Sequence, residues 1–362
     1  SRALADAVSP LICSIKRGDT MTDHFNDGDA VSRRDFIGNS IKGATAITLA
    51  GAVTQTASAG SNGLPTRTLG KTGEQVSILC LGGWHIGAVG GNDKKEAIRI
   101  MHAAIDEGMT FFDNSWDYHD GGSEDVMGQA LAGSSRREKV FLMTKGCERD
   151  YAGAARCIDE SLKRLKTDYL DLWQFHEIVY DNDPDWVFEK GGIRAALEAQ
   201  KAGKIRYIGF TGHRDPRIHK AMLAKPYDWD TVQMPINMMD AHFRSFSNEV
   251  VPMCLERNAG VIGMKSLGGG VLPNQAGISG DTCIRYALSQ PVSSLVVGLM
   301  SMEDLRRNVA TARGFTPMTE AEQTSLLAEV REVAGDGRYE LYKTTQRMDG
   351  PYHVKQHGFE VG

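Results

Sequence analysis

Thr110-Phe111-Phe112-Asp113-Asn114-Ser115-Trp116-Asp117-Tyr118 is a short apolar run that stops at a carboxylate and is followed, five residues after it, by a tyrosine. A short apolar run of this kind reads as a buried strand. The carboxylate at its end costs core stability unless it finds partners. The pattern recurs along the chain. Val140–Gly146 ends in Thr144-Lys145, and Tyr169–His176 ends in a histidine. Val76–Trp84, Tyr207–His213, Thr231–Asn237, Gly260–Leu267 and Ser294–Leu299 bring the runs to eight, with starts roughly 24 to 38 residues apart. That is the spacing of βα units.

Amphipathic stretches fill the gaps. Lys94–Gly108 places Ile98, Met101, Ile105 and Met109 on one face. Ser123-Glu124 opens another helix with a cap and an acidic first turn. Ala155–Leu165, Ile193–Lys204, Pro216–Ala224, Glu249–Asn258, Asp281–Gln290 and Met302–Ala312 complete the set. Eight alternating units with nearly continuous apolar strands predict a closed parallel (β/α)8 TIM barrel, class α/β, over residues 61–335. An open doubly wound sheet is the competing fold. It is disfavoured because Leu81-Gly82-Gly83-Trp84 is not the glycine fingerprint that follows the first strand of such sheets. The stretch from Thr66 to Val76 turns at glycines and predicts a β-hairpin across the barrel floor. A helix is expected over Glu320–Val333, then an irregular C-terminal tail over 336–362.

Residues 1–60 read as a leader outside the fold. Arg33-Arg34 precede Phe36, a weakly apolar stretch runs from Ile41 to Val53, and Ala57-Ser58-Ala59 is a small-x-small site. This order resembles a twin-arginine export signal, an address read by export machinery rather than an anchor, and predicts a periplasmic location. If the signal does not act, the location is cytoplasmic. No apolar run reaches the length of a membrane span. The net charge of −5 and the lack of a basic block argue against nucleic acid. The six cysteines, at 13, 80, 147, 157, 254 and 283, form no metal-ligand pattern, and no metal is expected.

In a parallel barrel the active site lies at the C-terminal strand ends. Asp113, Lys145 and His176 all end strands, and Tyr118 follows in a loop. Together they can reduce a carbonyl with a cofactor-borne hydride. Tyr118 is the proton donor, Lys145 lowers the phenol's pKa, Asp113 holds Lys145, and His176 donates a hydrogen bond to the carbonyl oxygen. Trp84, Trp116 and His119 lie near the expected mouth as candidate substrate contacts.

These residues also carry a resemblance. Phe111 to Tyr118, with Gly122-Ser123-Glu124, and Glu160 to Leu165, with Asp168 to Leu172 and His176, are similar to two signatures of the aldo-keto reductases. The likeness runs over roughly 64–312 and implies a catalytic tetrad of Asp113, Tyr118, Lys145 and His176. It also implies a small-molecule carbonyl substrate and NADP(H), with NAD(H) as the alternative. Thr211, Gln233 and Met264 correspond to the nicotinamide contacts. Lys265, Ser266 and Leu267, with the following glycines, correspond to the pyrophosphate contacts. Gly298, Ser301, Arg306 and Asn308 correspond to the adenosine-phosphate site, Ser301 at a helix N-terminus. The sequence departs from the family pattern at Gly212, Met264 and Met300. A non-catalytic, redox-sensing nucleotide-binding subunit on the same fold is a second reading, opposed by the intact tetrad. A Schiff-base aldolase using Lys145 is a third.

Overall fold

The computed structural model describes residues 58–59, 63–133 and 135–361, so the paired arginines of the expected leader lie outside the described residues. Eight strands close into a parallel barrel: β4 (Leu79–Gly82), β5 (Phe111–Asp113), β6 (Phe141–Gly146), β7 (Leu170–Phe175), β8 (Ile205–Thr211), β9 (Thr231–Pro235), β10 (Gly260–Met264) and β11 (Ser294–Val297). Each pairs with its sequence neighbours, and β11 returns to β4 through Val296↔Cys80. The predicted barrel is the observed one. The hairpin is also present: β2 (Pro65–Thr68) and β3 (Gln75–Ser77) pair antiparallel, and β1 (Ser58–Ala59) adds to the edge of β2.

The first apolar run divides differently from the expectation. Its start belongs to the hairpin, its middle is β4, and residues Gly83–Asn92 form a helix that the sequence reading missed. Four glycines give this segment poor intrinsic helicity. Packing decides instead: Ile86 and Val89 are buried, and the helix rests on Gly122–Leu131. The approach is close enough that a Cβ on Gly87 would lie 2.7 Å from Ser123 Cβ. Elsewhere local chemistry and structure agree. Asp93 caps Lys94–Asp106 by accepting from Glu96 N. Thr319 and Glu322 form a capping box at the start of Glu320–Ala334.

Strand parity sorts the side chains. On β5, β6 and β7 one set, Phe112, Leu142, Trp173 and Phe175, points outward and packs under the helices. The alternate set Phe111, Phe141, Met143 and Leu172 points inward and, with Cys80 and Ile262, fills the lower barrel. Phe111 and Phe141 meet edge to face at 5.1 Å. Each ring buried there is worth about 2–3 kcal/mol. One or two steps further along the same inward faces stand Asp113, Lys145 and Gln174. The parity that builds the apolar floor therefore also aims the polar groups at the mouth.

Two short helices, Leu341–Thr344 and Pro351–Gln356, form in the tail. Tyr342 O accepts from His213 Nδ1 at 2.9 Å, and Asn237 Nδ2 donates to Tyr342 Oη at 3.0 Å. Lys343 is fully buried against Asp240 (2.8 Å) and Glu340 (2.9 Å). The tail is thereby fastened to the loops after β8 and β9. Among the described residues, Cys80, Cys147, Cys157, Cys254 and Cys283 are buried free thiols, and no helix is long and apolar enough to cross a membrane.

Candidate active site

Lys145, the last inward side chain of β6, is the hub. Its ammonium forms a buried ion pair with Asp113 at the end of β5. It also donates to Asn114 O at 2.7 Å and to Tyr118 Oη at 3.4 Å. A buried ammonium with this many partners is compensated rather than stranded. Asp113 is anchored in turn by Gln233 Nε2 at 3.2 Å. Gln233 Oε1 accepts from Gln174 Nε2 at 2.8 Å. Gln174, which the sequence reading did not single out, thus links the apolar floor to the site. Its only signal was a polar residue on a face whose other strand positions, Leu170 and Leu172, are apolar.

His176 stands beside Tyr118 with their rings edge to face, 5.4 Å between centroids. All four predicted catalytic residues therefore lie together at one barrel end. Three partners were missed. His176 Nδ1 lies 3.0 Å from Asp117 Oδ1, 2.9 Å from Ser115 Oγ and 3.5 Å from Cys147 Sγ. Ser115 Oγ donates to Asp117 Oδ1 at 2.5 Å.

The expectation that Lys145 lowers the Tyr118 pKa is not met. Burial pushes the phenol well above its usual value, and the negative charges of Asp113, Asp117 and Glu177 push the same way. The physical reason is burial first, which disfavours the charged phenolate, and then Asp113, whose carboxylate sits against Lys145 and offsets its charge. Burial also raises Asp117, but His176 and the hydrogen bonds from His176 and Ser115 outweigh it, and the carboxyl sits well below the ordinary range. Burial lowers the His176 pKa, against the pull of Asp117. Glu177, next to the histidine, is buried with positive φ and driven well up by burial and by Asp117 and Asp349. Both its carboxylate oxygens accept from Gly350 N at 2.9 Å, which brings the tail into the site.

The rim residues separate. Trp84 is 52% exposed and packs on His85 and His119, and His119 Nε2 meets Trp84 O at 2.8 Å. Trp116 is held elsewhere: its Nε1 donates to Glu160 at 2.6 Å, Arg164 lies over it, and it meets Tyr352 of the tail.

The residues expected to hold a dinucleotide fit one in outline. Thr211, Gln233 and Ser266 are buried at the strand ends, and Met264 lies 3.9 Å from Gln233. Lys265, half-buried with positive φ, places its ammonium over the Tyr342 ring. Gly298 leaves room that a Cβ would fill, 2.6 Å from the His85 ring. Ser301 caps the helix Met302–Arg313, accepting from Asp304 N. Arg306 is exposed on its second turn and makes no ion pair among the described residues, while Arg307 pairs with Asp304 and Asn308 is buried. The acidic first turn, Glu303 and Asp304, is the one feature that opposes an added phosphate.

The tail histidines, scattered in sequence, also come together. His353 and His357 both reach Asp183, at 3.4 and 3.1 Å. Arg149 occupies the same carboxylate at 2.8 Å, so the cluster is a buried charge-assisted hub that docks the tail.

The aldo/keto reductase family model matches residues 78–283. An uncharacterized oxidoreductase of Bacillus subtilis, YrpG, is 33% identical over 232 residues, covering 58% of this chain and 68% of its own. The aldo-keto reductase YhdN of the same organism is 32% identical over 201 residues, covering 51% and 56%. Among solved structures, the aldo-keto reductase AKR11C1 of Bacillus halodurans superposes with a TM-score of 0.62 at 24% identity, over 76% of this chain and 99% of that one. An aldo/keto reductase of Klebsiella pneumoniae, solved with NADP and acetate, gives 0.59 at 23%, over 74% and 94%. With the barrel, the strand-end tetrad and the family match in agreement, the chain belongs to the aldo/keto reductase family and is an oxidoreductase.

Proposed function

We propose that the protein catalyses the reversible NADP(H)-dependent reduction of an aldehyde or ketone, with Tyr118 giving the proton to the carbonyl oxygen. The observation that carries this reading is the convergence of Lys145 on Asp113, Asn114 O and Tyr118 Oη at one buried point. Bound NADPH would supply the hydride. The protein's own residues handle the proton. A phenol with a raised pKa is fully protonated at neutral pH, and so always carries the proton to be given. The oxygen that receives it is an alkoxide in the making, a far stronger base than phenolate; even water has a pKa of only 15.7. Lys145, in a position fixed by Asp113, keeps a donor 3.4 Å from the phenol oxygen as the proton leaves.

In this reading Arg306 and Ser301 meet the adenosine 2′-phosphate and Asn308 meets the adenine. Lys265, Ser266 and Leu267 meet the diphosphate, Gly298 leaves room beside the adenosine-phosphate site, and Thr211, Gln233 and Met264 meet the nicotinamide. Trp84 and His119 would border the substrate. The Klebsiella relative crystallised with NADP points the same way.

The deciding experiment is Tyr118→Phe. NADPH oxidation with 4-nitrobenzaldehyde should fall by about 10²- to 10⁴-fold, while NADPH binding followed by fluorescence stays as in wild type. Retention of wild-type turnover would refute the role of Tyr118. Export through Arg33-Arg34 belongs to the same proposal: replacing both by Lys should leave the protein in the cytoplasmic fraction.

A further inference from the structure

The Asp117–His176 pair has a consequence for the reaction that the tetrad alone does not contain. This inference rests on the proposed carbonyl chemistry. A carboxylate oxygen 3.0 Å from an imidazole nitrogen requires a proton between them, because two lone pairs at that distance repel. Asp117 is held ionised, so the proton is on His176 Nδ1. Ser115 agrees: its hydroxyl is spent on Asp117, so the face it turns to Nδ1 at 2.9 Å is also an acceptor. Cys147 Sγ, at 3.5 Å, is the weakest neighbour. Nε2 has no hydrogen-bond partner among the described residues, and it is the nitrogen left for a substrate.

We propose that Asp117 is a positioning residue that keeps the His176 proton on Nδ1, so that Nε2 offers a lone pair when the ring is neutral and donates only when the ring is charged. The expected donation from His176 to a carbonyl oxygen therefore needs the imidazolium. With a neutral ring, Tyr118 is the single donor to a carbonyl, and Nε2 accepts from the hydroxyl of an alcohol. Protonation adds a second donor and favours reduction; deprotonation favours alcohol oxidation. The same site thus changes its preferred direction with pH.

The surroundings are consistent with a finely held pair. Lys145 and Asp113 face His176 from β6 and β5, and His213 does so from the loop after β8. Tyr118, Cys147 and Glu177 face Asp117, and Glu177 faces Asp349 of the tail and Arg149. The tail also backs Asp117 directly: a Cβ on Gly350 would lie 2.9 Å from Asp117 Oδ2 and 3.3 Å from Glu177 Oε2.

Long-range ¹H–¹⁵N NMR of the cofactor-free, histidine-labelled protein tests this without turnover, with the His176 signals assigned by their loss in His176→Asn. The neutral ring should carry its proton on Nδ1. In Asp117→Asn, burial loses its main opponent, with Asp113 left as a weaker one, and the His176 pKa should fall by about one to three units. Gly350→Ala, which crowds Asp117, should move it in the same direction by less. In kinetics, the limb of the 4-nitrobenzaldehyde reduction profile that rises toward acid should shift down in pH in Asp117→Asn, with the NADPH KM unchanged. A neutral Nε2–H form, or an unaltered pKa in Asp117→Asn, overturns the proposal. Wild-type protein inactive on every aldehyde, but with the NMR results as expected, would instead count against the proposed function alone.

Discussion

Arg306 is a residue whose surroundings leave it free to act. It is exposed, five residues after the helix-capping Ser301, and carries no ion pair among the described residues. If it reads a 2′-phosphate, Arg306→Ala removes a charge-assisted hydrogen bond worth about 1.5–3 kcal/mol. The Kd for NADPH should then rise about 10-fold or more, while that for NADH stays put. Titration of both cofactors by fluorescence checks this, and equal loss for the two would count against the assignment. At the same scale, Asp117 shows where sequence reading stops. The tetrad was legible because its members end apolar runs. Asp117, one residue before Tyr118, looked like any loop acid, and nothing local says that its carboxylate turns back to a histidine 59 residues later. The Tyr118 pKa was missed for a related reason: burial and several carboxylates set it together, and a pairwise argument with Lys145 gets its sign wrong.

Among the elements, the barrel strands were readable and the closures were not. Strands buried on both faces give continuous apolar runs, and those survive without any knowledge of partners. The helix Gly83–Asn92 is the opposite case, glycine-rich and held by packing alone. The tail is held by contacts with no sequence signature at all. Lys343 with Asp240 and Glu340 is the strongest of them, every side chain at zero exposure. Replacing one member strands the others in a dry place, at a cost of about 3–5 kcal/mol. Lys343→Met should therefore lower the Tm, or undock the tail. Limited proteolysis beyond residue 335 separates these outcomes, and a variant as stable and as protease-resistant as wild type would contradict the account of the buried triad.

The molecule as a whole carries a pH dependence that follows from its buried histidines. Burial pushes His353 down to about 4 and His219 down to about 3. In the unfolded chain both take up a proton near pH 6.5. Between these values the unfolded state holds more protons, so stability is complete above pH 6.5 and is lost as the pH falls toward 4. For His353 the loss is about 3 kcal/mol. Glu124 acts in the opposite sense, since burial lifts it to about 7 and the unfolded chain gives up its proton earlier, but it offsets only part of the two histidines. Melting curves from pH 7.5 to 4.5 should show a falling Tm, and His219→Gln should flatten that fall. An identical slope in the variant would show that His219 does not contribute.

The hydrogen bond from Gly350 to Glu177 joins positions 173 residues apart. It sets an order on the protein's birth. The barrel can close once residue 297 has left the ribosome, but the wall behind Asp117 exists only after residue 350 has emerged. A chain cut before residue 350 can thus hold the barrel strands and still lack the wall behind its Asp117–His176 pair.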